Sequence, residues 1–229
     1  ADAGTPDITR SYDLNGNLLS IVRGTAAWSY LYNSLNLPTR EALVIDGRTY
    51  QTDHSYNAAG SLTQTAYPGG PTILYSPDAL GRPSALQRSG GGSYATSLSY
   101  HANGAVAAFT YGNGFVYSQT LTNRQMPLAI RAINGAVNAV DLTFGYDANN
   151  RIISITDGAD AGNNRAFTYD GLGRLLTASG QWGSGAFVYD AVGNLRRQQL
   201  GSRVIETQFD GPTNRLSQVR DTATGNVWA

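Results

Sequence analysis

Apolar and polar residues alternate with a period of two along much of this chain. Trp28, Tyr30 and Tyr32 share one side of such a pattern, as do Leu142, Phe144 and Tyr146. The spacing returns in Phe167 and Tyr169, in Phe187 and Tyr189, and in Ile205, Thr207 and Phe209. A period of two marks a strand whose successive side chains point to opposite faces. Short apolar runs stand at residues 18–22, 152–155 and 175–177, and Gly-rich links stand at residues 90–92, 134–135 and 157–164. Nothing combines a helical period with capping residues. Residues 121–134 come nearest, and they contain Pro127, which would interrupt a helix. The pattern predicts an all-β chain built of short antiparallel hairpins.

Between the strands one short phrase returns. Its form is an aromatic residue, Asp, a few small residues, Gly or Asn, Arg or Asn, then Leu or Ile. It stands complete as Tyr12-Asp13-Leu-Asn-Gly16-Asn17-Leu18, Tyr169-Asp170-Gly-Leu-Gly173-Arg174-Leu175 and Tyr189-Asp190-Ala-Val-Gly193-Asn194-Leu195. Asn takes the Gly place after Tyr146-Asp147, before Arg151, and again after Phe209-Asp210, before Arg215. Tyr56 with Gly60 and Tyr100 with Gly104 lead drifted copies; Tyr75 with Gly81-Arg82, and Tyr32 with Asn36, lead variants that end in Pro. The stretch from Tyr117 to Pro127 is the most divergent, so ten aromatic-led copies are expected, 17 to 29 residues apart. Each part has a turn-forming reason. Gly supplies a positive φ and Asn tolerates one. The Asp side chain can accept hydrogen bonds from backbone amides just ahead of it, closing an Asx turn. Asp221-Thr-Ala-Thr-Gly225-Asn226 reads as a further turn.

This array resembles the YD repeats of the RHS (rearrangement hotspot) family, over about residues 11–223. The resemblance implies consecutive hairpins in a large, twisted, spirally wound antiparallel sheet, forming all or part of a hollow β-shell. In bacterial toxin members such a shell encloses a C-terminal toxin domain; in animal teneurins it serves adhesion. The Asp-Pro-x-Gly motifs of the family's autoprotease segment do not occur in these residues. The expectation is one array over residues 1–229. It would be a wall segment of a secreted or cell-surface protein, partnered by the rest of a longer polypeptide or by further copies of itself, with an enclosed toxin domain as cargo. An adhesion or glycan-binding module using outward aromatics is the alternative reading.

Composition changes this picture mainly by exclusion. The chain has 229 residues, with 16 basic and 16 acidic side chains. Zero net charge disfavours nucleic acid as a partner. All the basic residues are Arg, which suits planar pairing with carboxylates, and codon bias accounts for the same preference. Lys and Cys are absent, which removes Schiff-base chemistry, thiolate nucleophiles, disulfides and Cys-based metal sites. No apolar run is long enough to span a bilayer as a helix, and the first eight residues do not read as a signal peptide. Asp147, Asp170, Asp190 and Asp210 recur because the turn recurs, so acid–base catalysis is not expected and the chain is read as a non-enzyme without cofactor. The loop at 157–164, with two Asp and two Asn, is a hairpin tip that could alternatively hold calcium. His54 and His101 are expected at the surface or in turns.

Overall fold

The computed structural model describes residues 6–228. Twenty-one strands and one 3-10 turn, Ala161–Asn163, make up its regular structure. The strands form one open antiparallel sheet. Two compact units divide at Val116 and Tyr117. In the first, the strands run as a meander from Ile8–Tyr12 to Val106–Tyr111, each paired with the next. In the second, the same meander runs from Pro127–Asn134 to Val227–Trp228.

A meander places alternate connections at opposite ends of its strands. In each unit the aromatic-Asp turns therefore fall at one end and short links at the other. The links include Asp46-Gly47, with φ of 49° and 72°, the left-handed pair that a two-residue hairpin needs. The turns open at residues 13, 33, 57, 78, 101, 122, 147, 170, 190 and 210, so their true spacing is 20 to 25 residues. Two copies sit differently from the sequence reading. Tyr75 lies two residues inside its strand, and Pro77, facing Pro83, holds the place that Tyr holds elsewhere. The divergent copy turns at Thr122 to Met126, behind Leu121, while Tyr117 lies within the strand Val116–Leu121.

The sheet has no conventional core. The only buried apolar residues among those described are Ala95, Ala129, Ala132 and Ala178. The exposed surface is 14206 Å², against roughly 10,000 Å² for a compact monomer of this mass and roughly 12,000 Å² for two separate bodies of half that mass. Only about 60% of the extended chain's surface is removed from water, the share expected of a domain of about 60 residues. The repeat aromatics other than the exposed Tyr12 are half-buried on one face, and the residues between them, such as Leu31, Thr143, Thr168 and Val188, are exposed on the other. A single layer cannot bury both faces of its strands.

Candidate functional site

The feature that repeats, and so the candidate for function, is the ladder of turns. At each, the amide of the opening residue donates to the carbonyl four residues on, and the fourth residue's amide donates back to the opening carbonyl; the copy at Asp210 is one residue longer. The left-handed residue, fourth in nine turns and fifth in the copy at Asp210, has a positive φ in all ten, from 54° at Asn214 to 95° at Gly193. This is the three-residue hairpin connection, a tight turn closed by one left-handed residue.

The carboxylate does three things at once. Asp170 Oδ1 accepts from the amides of Leu172 and Arg174, both at 2.9 Å, and Oδ2 accepts from Arg174 Nε at 2.7 Å. Asp147 repeats this with Asn149 and Arg151, and Asp78 with Leu80 and Arg82. In Asp13 and Asp190 the outer oxygen takes the Asn17 or Asn194 amide instead. Asn33 and Asn57 keep the two backbone bonds alone. Thr213 supplies both bonds to Asp210 that Arg supplies elsewhere, and Arg215 adds its backbone amide. The Arg151 amide holds the Asp147 carboxyl below the usual carboxylate range, and the Arg174 amide followed by its side chain does so at Asp170. At Asp78 the Arg82 side chain leads.

Among the described pairings a bulge accompanies nine of the turns. Tyr169 faces Leu175 but Thr168 faces Thr177, so Leu176 is extra. The same slip follows the residues facing Tyr12, Tyr32, Tyr56, Pro77, Tyr100, Tyr146, Tyr189 and Phe209. Beyond the bulge, the residue facing the aromatic has no ladder partner in the next hairpin. Its carbonyl would be orphaned. The next repeat's tyrosine fills the gap: Tyr32 Oη donates to Leu18 O at 2.9 Å, Tyr56 to Pro38 at 2.8 Å, Tyr100 to Pro83 at 2.6 Å, Tyr146 to Pro127 at 2.7 Å and Tyr169 to Ile152 at 2.8 Å. Phe209 has no hydroxyl, and the Thr207 hydroxyl takes the Leu195 carbonyl in its place. Pro38, Pro83 and Pro127 lack the N–H that would otherwise be stranded there, which explains the copies that end in Pro.

The turn arginine closes the interlock. Arg82 lies 4.3 Å above the Tyr100 ring, Arg151 4.7 Å above Tyr169 and Arg174 4.6 Å above Tyr189. Each guanidinium is thus held between its own Asp and the next repeat's ring, a place that a flat, delocalised cation fits and an ammonium does not. Where Asn replaces Gly at the left-handed place, its side chain receives a bond from the preceding repeat: Asn36 from Asn17 at 2.8 Å, Asn214 from Asn194 at 2.7 Å, and Asn150 from Arg124. The sequence reading found each of these residue types but took them as parts of a single turn. The link to the next repeat was hidden, although the return of a turn every 20 to 25 residues was its signal.

The other candidates resolve locally. Asp157 Oδ1 accepts from the amides of Ala159 and Asp160, Oδ2 accepts from Asn163, and Asp160 caps the 3-10 turn through Gly162. These carboxylates point at their own loop, and among the described residues no cluster of three or more His, Asp or Glu side chains could hold a metal. His101 opens a turn in the place of Asp. His54 lies instead in the strand Arg48–Tyr56, largely covered, with Nδ1 3.2 Å from Thr65 Oγ1. No helix is long and apolar enough to cross a membrane among the described residues.

Comparison with known proteins agrees with this geometry. The RHS repeat family model matches residues 146–181, the two hairpins whose turns at Asp147 and Asp170 are both complete. No curated protein matches the sequence. Among solved structures, a chain of the Photorhabdus luminescens Tc holotoxin pore superposes with a TM-score of 0.77 at 18% identity, covering 93% of this chain and 13% of that one. A chain of the TcdB2–TccC3–Cdc42 crystal structure gives 0.76 at 17% identity, covering 93% and 14%, and one of TcdB2–TccC3 gives 0.69 at 17%, covering 91% and 15%. The chain therefore spans about a seventh of the length of these relatives in fold. Residues 146–181 thus match the RHS repeat, and the chain as a whole is similar in fold to chains of these Tc-toxin structures.

Proposed function

We propose that this chain is a wall segment of a hollow RHS β-shell, secreted or displayed at a cell surface, that encloses a polypeptide cargo. The observation that carries the reading is the interlock itself. At six junctions a hydroxyl of the following hairpin completes the hydrogen bonding of the one before it, and at three an arginine lies on the next repeat's ring, while neither face of the layer is covered. Such a device builds a long continuous surface rather than a compact domain. The fold likeness to Tc-toxin shell chains, of which this chain matches about a seventh, supports the same view. In this reading the turn carboxylates do no chemistry on a substrate, because each is committed to its own turn, and the chain acts without catalysis.

The test uses the parent polypeptide. It is digested with a non-specific protease under native conditions, and again after the shell is opened with denaturant. A segment that survives the first digestion and is lost in the second is the enclosed cargo. Uniform digestion in the native state, with no closed envelope in single-particle images, would overturn the proposal.

A further inference from the structure

Four times among the described residues an arginine lies over an aromatic ring, and in three of them, Arg82, Arg151 and Arg174, a carboxylate pairs with its guanidinium at 2.7 or 2.8 Å. One further carboxylate stands among aromatic rings with no arginine. Glu41 lies on the face of the repeat aromatics in the first unit, directly across from Tyr30 on one side and Thr52 on the other. The next row along the same face is Trp28, Leu43 and Tyr50. Together these six side chains line an open recess of about 230 Å³. Glu41 is half exposed, and the Tyr50 ring is 44% exposed. The neighbouring Arg40 cannot neutralise it, because strand alternation places that side chain on the opposite face, where it pairs with Asp53 at 2.6 Å. The imidazole of His54 is its neighbour instead, with Nε2 3.9 Å away while Nδ1 engages Thr65. The negative charge is felt locally: after burial, Glu41 is what raises the Tyr56 phenol.

We propose that this recess is a binding site for a guanidinium group, the side chain of an arginine on an extended peptide lying across the sheet. The guanidinium plane rests on the rings of Trp28, Tyr30 and Tyr50, and its N–H groups donate to the Glu41 carboxylate, with the Thr52 hydroxyl as a further acceptor. The arrangement copies the chain's own Asp–Arg–Tyr sandwich with the cation supplied from outside. A planar cation gains from both the rings and the carboxylate, whereas a sugar would use the rings and leave the charge unmatched. The site would act whether or not the chain belongs to a shell, so its failure and the failure of the wall reading are separate results.

The test titrates the 229-residue protein with acetyl-Gly-Arg-Gly-amide and follows the Trp28 indole N–H by NMR. The citrulline peptide, of the same shape but neutral, serves as control. The expected result is a saturable shift in the millimolar range, weakened roughly tenfold by E41Q and about fivefold by Y50A, with the citrulline peptide silent. Far-UV circular dichroism checks each variant's fold, and Y50A carries the test if E41Q does not fold. Equal binding of the citrulline peptide, or affinity retained within about twofold in the folded variants, overturns the proposal. So does a saturable response to cellobiose or maltose in the absence of one to the arginine peptide.

Discussion

At the scale of single residues, each position of the repeated phrase has a separable task. Asp170 is the clearest. Its oxygens bind two amides and one guanidinium, and Asn33 and Asn57 show that the amide bonds alone suffice to close the turn. D170N should therefore lower the thermal midpoint less than D170A, as read by circular dichroism. The carboxyls of Asp78, Asp147 and Asp170 are depressed in the folded state. A depressed carboxylate adds stability that is fully present above the unfolded value, about 3.9. That stability is lost as pH falls through the lower folded value. The denaturation midpoint should be flat from about pH 8 to about pH 5 and decline below about pH 4, and asparagine at 78, 147 and 170 together should flatten that decline. Gly173, at φ +82°, has Arg151 Nη1 only 3.2 Å from where a side chain would begin. G173A should cost about 1 kcal/mol in chemical denaturation. G173N should cost less, because Asn accepts this conformation and would offer Arg151 the bond that Asn150 offers Arg124.

At the scale of the hairpin, the bulge and the tyrosine belong together. The bulge strands one carbonyl, and the next repeat's hydroxyl recovers it. Y146F should cost about 1 kcal/mol, the net worth of one hydrogen bond whose acceptor is left unmade. A phenylalanine at 209 costs nothing comparable, because Thr207 covers the carbonyl there. The Asn194–Asn214 pair should behave as a unit. N194A and N214G should be non-additive by about 0.5–1 kcal/mol in a double-mutant cycle. The strands, the turns and nine of the ten turn positions were legible from alternation and from the returning Gly, Asn and Asp. The bulges were not, because an extra residue after the turn leaves no mark in a pattern read one strand at a time. The exact turn at Thr122 was also hidden, since Gln125 holds the left-handed place at φ 64° and Leu121 the aromatic one.

At the scale of the whole molecule, stability comes from neighbour-to-neighbour contacts, with no shared interior to carry it. Nearest-neighbour coupling of this kind makes a lesion local. Y169F should speed amide exchange in the strands Ile152–Asp157 and Leu175–Gly180 while leaving Ile8–Tyr12 unchanged, as measured by hydrogen exchange. The exposed apolar residues at turn tips, Leu14, Leu80, Leu172 and Val192, likewise belong to a surface that a compact globule would not present.

Alternation and turn chemistry alone disclosed the class of structure: an all-β series of hairpins, its turn residues, and its resemblance to RHS repeats. These are consequences of local geometry, of side-chain alternation and of the few residue types that accept a left-handed turn, and local geometry is written in neighbouring letters. What holds one hairpin to the next emerged only in the folded sheet. The tyrosine-to-carbonyl bond, the arginine between its own Asp and the following ring, and the recess around Glu41 join residues some ten to thirty positions apart. Their meeting depends on strand register, and a one-residue bulge resets that register in nearly every repeat.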